Sequence, residues 1–123
     1  MSEAISQGIE LPGEARKRLT DFVSGLTRQF TGRGPLEVRV RVNGCLVTIQ
    51  MHGFLTPLEQ TLVRRGRNHG LVHLIRRRLL EEEWEAWEEA LHQEFGLVVR
   101  EVQCDTNIEQ NRWTLAFKVA EAE

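Results

Sequence analysis

Cysteine is scarce in this chain: Cys45 and Cys104 are its only thiols in 123 residues. Neither belongs to a Cys-x-x-Cys pair or stands at ligand spacing from a histidine, so no zinc site is expected. Both read as small buried hydrophobes of a reducing compartment. Long apolar runs are missing as well, and nothing approaches the roughly 20 residues that span a bilayer. Residues 1–10 carry neither the basic nor the apolar region of a secretory signal, which makes a cytoplasmic location the expectation. Charge of one sign is also lacking. The net charge is −2 and the pI about 6.1, so attraction to nucleic acid or an anionic membrane would have to come from a local patch. Lysine is nearly absent, two residues against fourteen arginines. Arginine suits bidentate pairing with carboxylate or phosphate, although genome base composition produces the same bias. There is no phosphate-binding Walker loop, no nucleophile elbow, and no serine or cysteine with a recognisable histidine partner. No cofactor is expected, and the chain leans away from enzymes.

What is present describes a globular protein, with 41% hydrophobic and 28% charged residues. Residues 1–10 read as a flexible N-terminus and residues 11–120 as one domain. Pro12 opens a helix whose apolar face carries Leu19, Phe22, Val23, Leu26 and Phe30; Gly32 ends it and Pro35 prevents its continuation. Two alternating runs, Leu36–Val42 and Cys45–Met51, flank Asn43-Gly44, a favoured pair for a type I′ hairpin turn. That turn predicts Val42 opposite Cys45, Val40 opposite Val47, Val38 opposite Ile49 and Leu36 opposite Met51. Thr56-Pro57-Leu58-Glu59 is a helix start, with Thr56 as cap, Pro57 in the first turn and Glu59 closing a capping box. Gly66 and Gly70 predict a break in that helix. A longer helix is expected from about Leu71 to Phe95, with Val72, Ile75, Leu79, Leu80, Trp84, Trp87, Leu91 and Phe95 as its apolar stripe. Strands over Leu97–Cys104 and Arg112–Val119, joined by the loop Asp105–Asn111, complete the chain. The expected fold is α+β: a two-layer sandwich in the order α-β-β-α(α)-β-β, its mainly antiparallel four-stranded sheet covered by helices on one face.

Gly32-Arg33-Gly34-Pro35 at the first helix exit, Gly53-Phe54-Leu55-Thr56-Pro57-Leu58-Glu59 at the second helix entry, Arg76-Arg77-Arg78, and Asp105 after the third strand form a familiar series. In this order and spacing they resemble a family of small bacterial proteins of unknown function labelled "Na-translocating decarboxylase subunit-like", over about Leu19 to Val119. The resemblance implies a fold and a set of signature positions, and a link to membrane transport or decarboxylase systems. It implies no reaction, because the chain has no biotin-attachment lysine context.

Three places could carry chemistry. The glycines of Gly32–Pro35 could offer backbone N–H groups to an anion, with Arg33 and Gly34 in contact; the same residues are explained as a helix cap and a turn into the sheet. The stretch Arg64–Arg78 holds Arg64, Arg65, Arg67, His69, His73, Arg76, Arg77 and Arg78, and seven glutamates follow it between Glu81 and Glu94. It reads either as a solvated helix face laced by pairs such as Arg77 with Glu81, or as a basic surface for an acidic partner or a phosphate. His69 and His73 lie four apart but lack an acidic third ligand, so no metal is expected. The third place is the polar sheet face of Arg39, Arg41, Thr48 and Gln50, with Thr114 and Lys118; it lacks the stacking aromatics of an RNA-binding sheet. Asp105 and Glu59 could pair with Arg33 or Arg77 to brace the fold. The candidate binding residues are therefore Arg33, Gly34, Arg64, Arg67, Arg77, Arg78 and Asp105. Together these point to a non-enzymatic binding or regulatory accessory protein, expected as a homodimer through the sheet face or an edge strand, with an unidentified protein partner. A nucleic-acid or nucleotide-phosphate binder using the arginines, and a small enzyme with its site between subunits, are the alternatives.

Overall fold

In the β-hairpin, valine and isoleucine alternate with arginine, threonine and glutamine, so one face can be buried while the other stays wet. In the structure, a computed structural model describing residues 11–121, this hairpin is half of a four-stranded antiparallel sheet in the order β1-β2-β4-β3. The elements are α1 (Gly13–Thr31), β1 (Glu37–Asn43), β2 (Leu46–His52), α2 (Pro57–Val63), a 3-10 turn (Arg64–Gly66), α3 (His69–Glu82), α4 (Trp84–Phe95), β3 (Leu97–Asn107) and β4 (Arg112–Glu121). The expected α+β sandwich is thus observed. The flexible terminus expected at residues 1–10 lies outside the described residues.

One core holds the two layers together. Val47, Ile49 and Met51 of β2 and Trp113, Leu115, Phe117 and Val119 of β4 meet Leu19 and Val23 of α1, Val72 and Leu80 of α3, and Trp87 and Leu91 of α4. Aromatic contacts join the helices to one another and to the sheet: the Phe22 and Trp87 rings of α1 and α4 meet edge to face at 6.2 Å between centroids, and Trp84 of α4 lies 5.7 Å from Phe117 of β4. On the opposite side of the sheet Arg39, Arg41 and Lys118 are exposed, and Thr48, Gln50 and Thr114 partly so.

Three local expectations are corrected. The hairpin pairs Val42 with Val47, Val40 with Ile49 and Val38 with Met51, and its two-residue turn is Gly44-Cys45 rather than Asn43-Gly44. Gly44 takes φ +64° while Cys45 is not left-handed, which places glycine first in the turn as a type II′ turn requires. Cys45 therefore leaves the apolar face, and Leu36 lies outside the ladder. The expected single helix after Gly70 is two helices that meet at Glu83, whose φ/ψ of −102°/7° leaves the helical region. This bend lets Trp84 and Trp87 reach Phe117 from one side. The third strand also runs beyond Cys104 to Asn107, so only a tight turn separates β3 from β4.

Candidate functional site

The segment entering α2 is built by its own side chains. Thr56 Oγ1 accepts from the Glu59 N–H at 3.2 Å, and Glu59 Oε1 accepts from the Thr56 N–H at 2.9 Å, so the capping box closes as expected. At the other end, the Asn68 side-chain amide donates to the Leu62 carbonyl at 2.7 Å and holds the exit of α2. Between them the chain reverses through three left-handed residues, Arg65 (φ 70°), Gly66 (φ 71°) and Asn68 (φ 63°). This elbow lays α3 beside α2.

α3 has an unusual distribution of side chains. Its buried positions are Val72, Arg76 and Leu80, spaced by four and facing the sheet. Arg76, only 1% exposed, reaches across to the equally buried Glu59. Nε donates to Oε2 at 2.8 Å and Nη2 to Oε1 at 2.6 Å, a bidentate pair. Nη2 also donates to the Phe54 carbonyl at 2.9 Å, and the guanidinium stacks 4.8 Å from the Phe54 ring and 4.9 Å from Trp113. Burial alone would push the Glu59 carboxyl up. The hydrogen bonds and charge of Arg76 and the donors of Thr56 outweigh that and hold it below the usual range. The brace anticipated for Glu59 from Arg33 or Arg77 is therefore made by Arg76. Arg33 instead donates to the Leu55 carbonyl at 3.0 Å.

With arginine turned inward, the outer face of α3 is apolar. Leu74 is 50% exposed, Leu71 43% and Ile75 38%, and Leu58 on α2 is 70% exposed. Leu58, Leu62, Leu74, Ile75 and Leu79 line a groove of about 500 Å³ between the two helices, with Arg78 and Glu82 at its rim and the Arg76–Glu59 pair beneath. An exposed cluster of large aliphatic side chains with charged edges is the composition of a contact surface rather than of a solvated helix.

The sequence-derived binding residues do not converge on one point. Arg64 and Arg67 are exposed on the elbow, and Arg78 stands at the groove. Arg77 lies over β3 beside Cys104, whose thiol burial pushes up despite the nearby guanidinium. Gly34 sits against α1, where a Cβ would come 3.3 Å from the Ser24 carbonyl oxygen. Asp105 is on the open sheet face, in the cross-strand row Arg39, Gln50, Thr114, Asp105. Reasoning from sequence missed Leu58, Leu74, Ile75 and the Arg76–Glu59 pair. The available signal was that Arg76 keeps the four-residue spacing of Val72 and Leu80, whereas Ile75 does not. Among the described residues, no cluster of three or more His, Cys, Asp or Glu could hold a metal ion, and no helix is long and apolar enough to cross a membrane.

Comparison with known proteins agrees with the family resemblance carried by Gly32–Pro35, Gly53–Glu59 and Asp105. A family model described as "Na+-translocating membrane potential-generating system (MpsC)" matches residues 12–121, and the chain belongs to that family. No curated protein and no solved structure matches it.

Proposed function

We propose that this member of the MpsC family is a cytoplasmic, non-enzymatic accessory protein of a Na+-translocating membrane system, and that it works as a homodimer through protein contacts. The observation that carries the binding role is the groove between α2 and α3, where Leu58, Leu74 and Ile75 stand in solvent. The family's description supplies the membrane system. The buried titratable pair supports a binding role over a chemical one. Arg76 and Glu59 are held to each other by a bidentate salt bridge beneath the groove, a bracing contact for the helices that form it.

The test is the Na+-dependent membrane potential of inverted vesicles from cells with and without this chain, read by a potential-sensitive dye. Loss of the chain is expected to lower the potential and its return to restore it. An unchanged potential overturns the assignment. One observation favours a second reading. Gln60–Leu80 contains no acidic residue, and Arg64, Arg65, Arg67, Arg77 and Arg78 are all exposed, as a phosphate or nucleic-acid surface requires. Binding of RNA or DNA that falls steeply with salt would select it.

A further inference from the structure

The outer face of α3 is ordered in charge as well as apolar. Leu71, Leu74, Ile75, Arg78 and Glu82 recur at three- and four-residue intervals and share one helix stripe. The basic elbow of Arg64, Arg65 and Arg67 precedes that stripe, and Glu81, Glu82 and Glu83 end it. A helix that is basic at one end, acidic at the other and aliphatic in the middle is complementary to itself run backwards. We propose that the groove between α2 and α3 is the isologous interface of a homodimer, occupied by α2 and α3 of a second copy, with the two α3 helices antiparallel.

A two-fold axis passing between Leu74 and Ile75 sets Leu74 of one copy against Ile75 of the other. It also lays the aliphatic stem of Arg78 on Leu71. Along a helix that rises about 1.5 Å per residue, Glu82 lies roughly 11 Å from that axis on one side, and the helix start at His69, which the elbow carrying Arg67 precedes, roughly 8 Å on the other. The axis therefore carries Glu82 of each copy to the Arg67 end of its mate. Isologous contacts require this self-complementarity, and an aliphatic centre with a charged rim is the anatomy of a protein interface. An anionic bilayer fits less well, because Glu82 stands on the same stripe as the leucines. The sheet edges fit less well too. The edge strand β1 carries exposed Arg39 and Arg41 on its polar face, and β3 carries an irregularity between Val99 and Glu101, both features that discourage edge pairing.

The inference rests on the homodimeric reading above and names its surface. It is tested on the full chain by sedimentation over about 1 to 100 µM, the range in which weak dimers dissociate. Wild type is expected to dimerise. Leu74→Gln with Ile75→Gln, at exposed positions, is expected to raise the dissociation constant at least about 100-fold while circular dichroism stays unchanged. Arg67→Glu or Glu82→Arg alone is expected to weaken the dimer roughly five- to tenfold, and the two together to recover most of that loss. A dimer that survives Leu74→Gln/Ile75→Gln overturns this surface and leaves the homodimer standing. Failure of the charge swap to recover affinity overturns the antiparallel arrangement. A wild-type monomer at every concentration overturns both. So does a monomer that binds anionic vesicles, or a foreign amphipathic helix, through Leu74.

Discussion

Replacing Glu59 by glutamine removes the carboxylate charge paired with Arg76 while keeping the shape of the side chain and the capping acceptor for Thr56. The guanidinium, 1% exposed, would then be a buried cation held only by the Phe54 carbonyl, an amide oxygen and the Phe54 and Trp113 rings. Breaking a buried pair in this way costs about 3–5 kcal/mol, a large share of the roughly 5–15 kcal/mol that holds a domain folded. At about 4 °C per kcal/mol for a chain of this size, the melting temperature should fall by roughly 12–20 °C. Urea unfolding followed by tryptophan fluorescence measures it, because Trp87 and Trp113 are buried in the native state. The decisive comparison is Glu59→Leu combined with Arg76→Met. Removing both charges together should lie within about 2 kcal/mol of wild type, because no uncompensated charge remains. The residual cost is the Phe54 carbonyl losing its donor and the Thr56 N–H losing the Glu59 acceptor of the capping box. If Glu59→Gln shifts stability by less than about 1 kcal/mol, or if the two single effects simply add in the double variant, the pair is not the brace described here.

The same pair makes stability pH-dependent. Although burial raises the Glu59 carboxyl, Arg76 and Thr56 leave it depressed in the folded protein. Its contribution is therefore fully present above the unfolded value of about 4.3 and is lost as pH falls through the folded value. The difference in urea midpoint between wild type and Glu59→Gln should narrow as the pH is lowered from 7 toward 3; a constant difference contradicts the linkage. Two glycines separate backbone strain from crowding. Both Gly44 (φ +64°) and Gly53 (φ +69°) are left-handed, but a Cβ on Gly44 meets nothing within 4 Å, whereas one on Gly53 falls 2.6 Å from Leu36 Cγ. Gly44→Ala should cost about 1 kcal/mol for the conformation alone. Gly53→Ala should cost roughly 1–3 kcal/mol more as the Leu36 segment is displaced. Equal costs in thermal unfolding would show that Leu36 yields freely.

Much of the architecture was legible because it is decided within a few residues of chain. Gly32 and Gly96 end helices in left-handed conformations that glycine adopts without penalty. Thr56, Pro57 and Glu59 start one through contacts three residues long. The strict alternation of β2 and β4 selects which face is buried. The hairpin register was not legible from the turn, and the reason is geometric. Moving from the Asn43-Gly44 turn to Gly44-Cys45 slips the pairing by two residues, which keeps every side chain on its face, so hydrophobic alternation cannot tell the two apart. The choice is made by tertiary anchors at the far end: Leu36 donating to the His52 carbonyl at 2.9 Å, and β2 paired with β4 from Leu46–Lys118 to His52–Arg112.

The inward arginine shows the boundary most clearly. Periodicity assigns Ile75 to the core because an unpaired arginine there would be prohibitive. Only the elbow at Arg65–Asn68, which turns α3 back along α2, brings Glu59 from 17 residues away in sequence to neutralise Arg76. Local chemistry thus determined the helices, the strands and the buried sheet face. The reversal of the chain decided that Arg76 could be buried, and with it that Leu74 and Ile75 would face outward. A charge can enter a core only beside its counter-charge, and that proximity belongs to the folded chain rather than to any stretch of the sequence.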